Sequence, residues 1–310
     1  MTTNAGSSNR TPNRWVVGAR PRTLPAAVAP VLVGTAVGAW TSVGAEDRFQ
    51  LIAWRFVCAL VVALAVQVAT NYANDYSDGT RGTDDPGTRV GPPRLVGDGL
   101  ATPDEVKRAM LIAFGITLLA GLPLLIWVDW RLALVGVASV AAGWFYTGGP
   151  NPYGYAGLGE VFVFVFFGLV ATVFSAYVQS EQITLLALLC GAAMGLLATA
   201  LLVVNNLRDI PGDTVVGKRT LAVRLGARRT RLLYAACLVG PFVLLPFIAG
   251  PSGRLGGAAA FLALPLANVA AMNVFRGAEG PALIPVLAKT GQVQLIFGVL
   301  LAAGLAVGPV

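Results

Sequence analysis

The sequence predicts an all-α membrane protein of about nine transmembrane helices. Hydrophobic residues make up 56% of the chain and charged residues 12%, whereas soluble domains carry about 25% charged residues. Six apolar runs are each 18 to 22 residues long without a charge, and a helix needs roughly 20 residues to cross the hydrocarbon core. A soluble fold could not cover its surface with so few polar side chains, so a lipid bilayer is the expected environment.

The six long runs are six predicted spans, at Met110–Val128, Val161–Val178, Ile183–Val204, Leu232–Gly250, Gly256–Val274 and Val293–Val310. Three shorter segments reach a spanning length when their flanks are included, at Leu24–Trp40, Phe56–Thr70 and Leu132–Tyr146. Residues 1–13 are rich in Ser, Thr and Asn and are predicted to form a disordered tail. Residues 14–310 are predicted to form a single transmembrane domain.

The basic residues predict the orientation of the helices. With the N-terminus in the cytoplasm, 18 of the 22 Lys and Arg residues lie on the cytoplasmic side, as the positive-inside rule requires. This bias explains the net charge of +7, and it adds some attraction to anionic lipid. Nucleic-acid binding is not expected, because the sequence offers no soluble basic face with interleaved aromatic residues. The predicted location is the cytoplasmic membrane, and no obligatory protein partner is implied.

Histidine is absent from the chain, and there are three cysteines. The missing imidazole excludes a His general base, a Ser-His-Asp triad, and His ligation of haem or zinc. Cys58, Cys190 and Cys237 all lie in apolar spans and share no metal-type spacing. They are therefore interpreted as small buried hydrophobic residues.

Nine of the 15 acidic residues lie in two segments, which the predicted topology places as long cytoplasmic loops at 71–109 and 205–230. In the first, Asn71, Asp75 and Asp78 are spaced i, i+4 and i+7. They share one face if the second span continues as a helix. Asn74 stands beside Asp75, and Asp84 follows in a turn-rich stretch.

The second segment repeats this pattern after the sixth span. Asn205, Asp209 and Asp213 recur at i, i+4 and i+8, with Pro211 expected to kink or loosen the helix. Carboxylates near hydrocarbon are costly without a counter-charge, and Mg²⁺ prefers oxygen ligands from carboxylates and phosphates. One such motif alone would be interpreted as solvated loop charge. The two together favour a diphosphate bound through Mg²⁺.

Basic side chains in the same two segments suit phosphate oxygens, because Arg and Lys donate charge-assisted hydrogen bonds. They are Arg81, Arg89, Arg94, Arg208, Lys218 and Arg219.

Two stretches of the sequence resemble the two aspartate motifs of the UbiA superfamily of intramembrane prenyltransferases. The first is Asn74-Asp75-x-x-Asp78, and the second is Asp209-x-x-x-Asp213 followed by residues 217–226. Within this superfamily, three further stretches are most similar to members that prenylate 1,4-dihydroxy-2-naphthoate. They are residues 19–25, residues 71–78 with 89–92, and residues 146–150 with 159–160. The resemblance runs from about residue 15 to about residue 305. Family members often have a further aspartate spaced evenly after the first motif. In this chain that aspartate is shifted to Asp84 or Asp85, which is a departure from the family pattern.

The resemblance implies a helical bundle around a central cavity, polar at the cytoplasmic end, apolar deeper in, and open laterally to lipid. It implies Mg²⁺-dependent transfer of a polyprenyl group from polyprenyl diphosphate to 1,4-dihydroxy-2-naphthoate. Loss of CO₂ and diphosphate would give a demethylmenaquinone, in menaquinone biosynthesis. The expected catalytic and metal-binding residues are Asp75, Asp78, Asp209 and Asp213, with Asp84 as a further metal ligand. The expected substrate-binding residues are Arg22, Asn71, Asn74, Arg81, Tyr146, Asn205, Arg208, Lys218 and Arg219.

Two roles stay open on the sequence. Either Arg22 or Lys218 is expected to hold the carboxylate of the acceptor. An allylic cation formed in the reaction needs apolar and aromatic walls, for which Tyr146, Tyr72 and Phe145 are candidates.

Two other functions also stay open. A prenyltransferase could use another aromatic acceptor, such as 4-hydroxybenzoate. A membrane transporter or lipid-diphosphate binding protein is the alternative from another class. It is disfavoured because transporters place charged residues near the midplane, whereas here the acidic residues lie at helix ends and in loops.

Overall fold

The computed structural model describes residues 13–43, 46–83 and 91–307. The helices are α1 (Arg14–Ala19), α2 (Pro25–Gly38), α3 (Ala53–Thr80), α4 (Pro103–Trp127), α5 (Leu132–Phe145), α6 (Gly159–Val163), α7 (Ala171–Ser180), α8 (Leu185–Val215), α9 (Leu221–Ala249), α10 (Leu264–Phe275) and α11 (Ile284–Ala306). A π-helical stretch, Phe164–Val170, joins α6 to α7, and 3₁₀ turns occupy Pro21–Thr23, Leu255–Ala263 and Gly280–Leu283. A two-stranded antiparallel hairpin, β1 (Trp40–Val43) and β2 (Glu46–Phe49), links α2 to α3.

The predicted fold class is confirmed. Within the described residues, seven helical segments are long and apolar enough to cross a membrane, and α2 and α5 are two shorter apolar helices. Residues 1–12 of the predicted tail lie outside the part of the chain that the structure describes, and so does Asp84.

Threonine side chains cap the N-termini of three of the long helices. Thr102 forms a capping box with Glu105 at the start of α4, with the Glu105 N–H donating to Thr102 Oγ1 at 3.3 Å. Thr184 accepts from the Ala187 N–H at the start of α8, and Thr220 caps α9. Such caps satisfy backbone donors that have no partner inside the helix.

The two predicted cytoplasmic loops are wrong in extent. Helix α3 continues to Thr80, and α8 runs through Pro211 to Val215, so the connection to α9 covers only residues 216–220. Hydropathy marks the Asn- and Asp-rich ends of these helices as loops. A polar helix end remains helical, however, when its polar face lines a cavity inside the protein.

Glycines let several helices approach each other closely. A Cβ added at Gly34 on α2 would lie 2.1 Å from the Thr172 carbonyl oxygen on α7, and one at Gly168 would lie 2.3 Å from Gly195 Cα on α8. Small residues are enriched at membrane helix interfaces for this reason. These contacts bring α2 against α7 and the π-helical stretch against α8, and residues of α2, α7 and α8 share one group of buried apolar side chains.

Replacing Gly34 by valine is therefore expected to destabilise the protein. Overpacking costs typically about 1–3 kcal/mol, and the upper end applies because the atom in the way is backbone. Thermal unfolding of the purified protein in detergent measures the effect. Gly115→Val on α4 is the matched control, because a Cβ at Gly115 would meet no atom within 4 Å. Equal stability of the two variants would contradict this account of the α2–α7 contact.

Candidate active site

The helices surround a cavity of about 1090 Å³. Its wall includes Asp78 near the end of α3 and Ala59 near the start of the same helix. At a rise of about 1.5 Å per residue, these positions are separated by about 28 Å along the helix axis. Ala59 belongs to an apolar group with Val31, Leu124 and Val178, all of which also line the cavity. One end of the cavity is therefore charged and the other apolar, as expected from the sequence.

The acidic ends of α3 and α8 meet at the charged end. Lys218, which follows α8, donates through Nζ to Asp78 Oδ2 at 3.1 Å. The Tyr155 hydroxyl donates to Asp78 Oδ1 at 2.6 Å. Asp78 is buried, with 4% of its surface exposed. A contact between residues 140 positions apart places the two motifs at the same end of the bundle.

The α8 motif is held by its own helix and by the start of α9. Arg208 donates to Asp209 through Nε at 2.7 Å and through Nη2 at 2.6 Å, which is a bidentate pair. Asn205 Nδ2 donates to Asp209 Oδ2 at 3.4 Å. The Thr220 hydroxyl donates to Asp213 Oδ2 at 3.4 Å. Asp209 and Asp213 are one helical turn apart and both line the cavity.

The oxygen donors of this site fit a hard divalent cation. Within the described residues, no three acidic side chains are close enough to hold a metal ion by themselves. Carboxylates are hard oxygen donors, and Mg²⁺ is commonly bound by one or two of them together with substrate phosphates and water. Asp78, Asp209 and Asp213 are the side chains that would supply the carboxylate oxygens.

Asp75 is in a different environment from Asp78. Its side chain is fully buried, and it does not line the cavity. Arg94 Nη1 donates to Asp75 Oδ1 at 2.7 Å, the Leu95 N–H donates to Oδ2 at 3.1 Å, and Arg20 also pairs with Oδ1. The predicted metal ligand is therefore enclosed by protein donors.

A polar stripe on α3 forms one wall of the cavity. Gln67, Asn71, Asn74 and Asp78 follow at i, i+4, i+7 and i+11, and all four line the cavity. Asn71 Nδ2 donates to the Ala19 carbonyl at 2.9 Å, and Gln67 Nε2 donates to Asn71 Oδ1 at 3.3 Å. Sequence reasoning missed Gln67 because it lies inside an apolar run, although its spacing from Asn71 was visible.

Ten of the predicted site residues with described positions line this cavity. They are Arg22, Asn71, Asn74, Asp78, Tyr146, Asn205, Arg208, Asp209, Asp213 and Lys218. Asp75, Arg81 and Arg219 do not. Arg81 donates instead to the carbonyl oxygens of Thr147 and Gly149, so it fastens the connection after α5. The Arg219 N–H donates to the Tyr155 carbonyl at 3.0 Å, and its side chain is exposed.

Aromatic rings line the cavity beside the charged end, but only one of the three predicted rings is among them. Tyr146 lines the cavity, whereas the Tyr72 hydroxyl donates to the Trp15 carbonyl at 2.9 Å and the Phe145 ring is 49% exposed. Tyr153 stacks on Phe162 with ring centroids 3.9 Å apart. Sequence reasoning missed these two rings.

Four rings, those of Tyr146, Tyr153, Phe162 and Phe166, follow one another and are called here the aromatic column. Tyr146 meets the edge of Tyr153 at 5.5 Å, and Phe162 is nearly parallel to Phe166 at 6.1 Å. Tyr153 comes from the irregular connection between α5 and α6, where no periodic pattern indicates which way a side chain faces. Phe162 and Phe166 lie in a strongly apolar span, where hydropathy does not separate a lipid-facing ring from a cavity-facing one.

The protonation states of two groups around Asp78 are fixed by their surroundings. Burial raises the pKa of the Tyr155 hydroxyl, and the charge of Asp78 raises it further. Burial by itself would lower the pKa of Lys218, but the attraction of Asp78, Tyr155 and Asp213 outweighs it, and the pKa is raised. Lys218 is therefore an ammonium group and Tyr155 a neutral phenol at neutral pH. The Lys218 ammonium lies 4.6 Å from the centre of the Tyr155 ring.

Comparison with known proteins gives the family. The UbiA prenyltransferase family model matches residues 27–284. A relative named 1,4-dihydroxy-2-naphthoate octaprenyltransferase, from Mycobacterium tuberculosis, is 47% identical over 298 residues, covering 95% of this chain and 97% of the relative. A relative of the same name from Escherichia coli is 38% identical, covering 94% of both chains.

Solved structures share the fold at low sequence identity. A UbiA homolog from Archaeoglobus fulgidus, solved bound to DMAPP and Mg²⁺, superposes with a TM-score of 0.63 at 14% identity, covering 95% of this chain and 100% of the other. An apo UbiA homolog from Aeropyrum pernix K1 gives a TM-score of 0.66 at 15% identity, covering 92% and 97%. The chain belongs to the UbiA prenyltransferase family.

Proposed function

We propose that the protein transfers a polyprenyl group from polyprenyl diphosphate to 1,4-dihydroxy-2-naphthoate, with loss of CO₂ and diphosphate, to give a demethylmenaquinol, the reduced form of a demethylmenaquinone, in menaquinone biosynthesis. The observation that carries this proposal is the contact between Asp78 and Lys218. It brings the acidic ends of α3 and α8 to one end of a cavity whose other end is apolar. The names of the relatives support the choice of acceptor.

The site is suited to departure of a diphosphate. Asp78, Asp209 and Asp213 would hold Mg²⁺, which stabilises the negative charge that develops on the diphosphate as the allylic C–O bond breaks. Lys218 is a fixed positive charge beside Asp78. Arg208 orients the carboxylate of Asp209 through its bidentate pair. Charges that are already fixed in position require little reorganisation during the reaction.

The aromatic column protects the allylic cation. Tyr146, Tyr153 and Phe162 line the cavity next to the charged end. Their π faces attract a delocalised cation, and their bulk excludes water that would otherwise capture it. An electron-rich ring carbon of the acceptor then attacks the cation, and the ring loses its carboxyl group as CO₂.

Of the two candidates, Arg22 and Lys218, Arg22 is better placed to bind the carboxylate of the acceptor. Lys218 is engaged by Asp78, and Arg208 by Asp209. Arg22 lines the cavity from the turn before α2 and forms no ion pair with another described residue. Its guanidinium fork matches the geometry of a carboxylate.

Arg22→Gln is therefore expected to raise the KM for 1,4-dihydroxy-2-naphthoate about 10- to 100-fold, because a charge-assisted bidentate pair contributes about 1.5–3 kcal/mol. Steady-state rates at saturating prenyl diphosphate measure the change. Arg276→Gln is the matched control, since Arg276 is exposed and does not line the cavity. The penalty should disappear with 1,4-dihydroxynaphthalene, which lacks the carboxylate. A penalty of the same size with both acceptors would rule out this role.

The proposed function is tested with the purified protein in lipid vesicles, labelled geranyl or octaprenyl diphosphate, and a panel of aromatic acceptors. The expected result is a prenylated product and stoichiometric CO₂ from 1,4-dihydroxy-2-naphthoate, with loss of activity when EDTA removes Mg²⁺. Transfer to 4-hydroxybenzoate alone, without CO₂, would assign another acceptor. Movement of prenyl diphosphate across the vesicle membrane without transfer would indicate a transporter.

We place the site on the cytoplasmic face of the cytoplasmic membrane, because the basic residues are concentrated on that side.

A further inference from the structure

Asp75 lies between two arginines that reach it from different parts of the chain. Arg20 comes from the end of α1, and Arg94 comes from the segment before α4. Both arginines line the cavity, whereas Asp75 does not. Guanidinium groups in the wall of a cavity are suited to the oxygens of a phosphate.

The backbone around Arg20 is held in an unusual conformation. Arg20 has φ 52° and ψ 70°, in the left-handed region that non-glycine residues rarely occupy. Such conformations persist where surrounding contacts fix them, and they are common at ligand-binding sites. Here the preceding carbonyl, that of Ala19, accepts from Asn71 on α3 at 2.9 Å. The guanidinium of Arg20 pairs with Asp75 on the next turn of that helix.

The second arginine is fixed equally well. The Arg94 N–H donates to Asp98 Oδ2 at 2.6 Å, and the N–H of the next residue, Leu95, donates to Asp75 Oδ2 at 3.1 Å. Asp75 therefore holds both the side chain of Arg94 and the backbone beside it. Residues 91–93, just before it, also line the cavity.

Asp75 differs from the other predicted metal ligands in its access to the cavity. Oδ1 of Asp75 accepts from both guanidinium groups, and Oδ2 accepts from a backbone N–H. Asp78 and Asp209 also have cationic partners, but both of these carboxylates line the cavity, whereas Asp75 does not. Asp78 has 4% of its surface exposed and lines the cavity, whereas Asp75 has 0% exposed.

We propose that Asp75 is a positioning residue that holds Arg20 and Arg94 for the oxygens of the diphosphate, and that it does not ligate the divalent cation. This inference rests on the proposed function, and it divides the first aspartate motif between two tasks. Asp78 faces the metal, and Asp75 faces the two arginines that bind the anion directly.

The test uses calorimetric binding of geranyl thiodiphosphate, an unreactive analogue, to the purified full-length protein over a range of Mg²⁺ concentrations. Asp75→Asn is expected to weaken binding at saturating Mg²⁺ about tenfold, while the Mg²⁺ concentration that gives half of the effect stays within twofold of wild type. Asp78→Asn, the matched variant one turn away, is expected to raise that Mg²⁺ concentration at least tenfold. A shift in Asp75→Asn as large as that in Asp78→Asn would overturn the proposal.

Two further variants keep the test decisive if Asp75→Asn does not fold. Arg20→Lys and Arg94→Lys retain the positive charges beside Asp75 but lose the guanidinium forks. Each is expected to weaken analogue binding three- to tenfold with an unchanged Mg²⁺ midpoint. Wild-type affinity in both would overturn the proposal. If wild-type protein and Asp78→Asn bound the analogue without any Mg²⁺ dependence, the proposed function itself would fail, and that outcome is distinct from failure of the role of Asp75.

Discussion

Replacing Asp78 or Asp213 by asparagine is expected to lower the turnover of prenyl transfer by about 100- to 1,000-fold. Electrostatic stabilisation of a leaving group contributes several kcal/mol, and each 1.4 kcal/mol or so is a factor of ten in rate. Asparagine keeps the shape of the side chain and removes the charge. Initial rates in lipid vesicles at saturating prenyl diphosphate measure the loss.

The matched control for these two variants is Asp104→Asn. Asp104 belongs to the same acidic segment of the sequence as Asp78, but it is exposed at the start of α4 and does not line the cavity. Its replacement is expected to leave turnover within about twofold of wild type. If Asp104→Asn lost as much activity as Asp78→Asn, the acidic segment would act through its overall charge, and the assignment of Asp78 would be wrong.

Replacing Ala59 by tryptophan is expected to change which prenyl diphosphates the protein uses. Ala59 lines the apolar end of the cavity and is 9% exposed, so a large side chain there would occupy space needed by a long chain. Displacing about four buried CH₂ groups, at about 0.8 kcal/mol each, would cost about 3 kcal/mol, or roughly 100-fold. We therefore expect the kcat/KM for octaprenyl diphosphate to fall about 100-fold relative to that for geranyl diphosphate.

The control for this prediction lies on the same helix. Val57 is 53% exposed on the outer surface and does not line the cavity, so Val57→Trp should leave the preference for chain length unchanged. Competition between octaprenyl and geranyl diphosphate in one vesicle preparation measures the ratio directly. An unchanged ratio in Ala59→Trp would mean that the long chain leaves the cavity before it reaches the apolar end, through a lateral opening nearer the charged rim.

Composition and the length of the apolar runs predicted most of the fold because the bilayer leaves few alternatives. Backbone polar groups in hydrocarbon must be satisfied within a helix or a closed barrel, so long apolar runs become helices. The same reasoning failed at 205–215, where the Asn- and Asp-rich end of α8 was interpreted as loop. Hydropathy measures polarity, and it does not distinguish water in a loop from water in a cavity.

The candidate site was predicted in part for a similar reason. Spacing placed Asn71 and Asp78 on one face of α3, and both line the cavity. Asp75 is only three residues from Asp78, so spacing alone could not show that its carboxylate meets Arg20 and Arg94 instead. These partners are 55 and 19 positions away in the sequence. A single sequence gives no direct signal for such pairs.

The contact between Lys218 and Asp78 could not be derived from the sequence either. The predicted topology requires only that both motifs lie on the same side of the membrane. The packing of the helices around one cavity decides that the motifs meet. The chemistry was therefore visible in the residue types, whereas the partners of each charged group required the structure.

The central claim is that the acidic ends of α3 and α8 hold one divalent cation site together with a diphosphate. A crystal structure with Mn²⁺ in place of Mg²⁺ and geranyl thiodiphosphate tests it most directly, because the anomalous signal of Mn²⁺ locates the ion. The account predicts Mn²⁺ bound between Asp78 on one side and Asp209 and Asp213 on the other, with analogue phosphate oxygens completing its coordination. Mn²⁺ bound to only one of the two helices, or coordinated by Asp75, would contradict it.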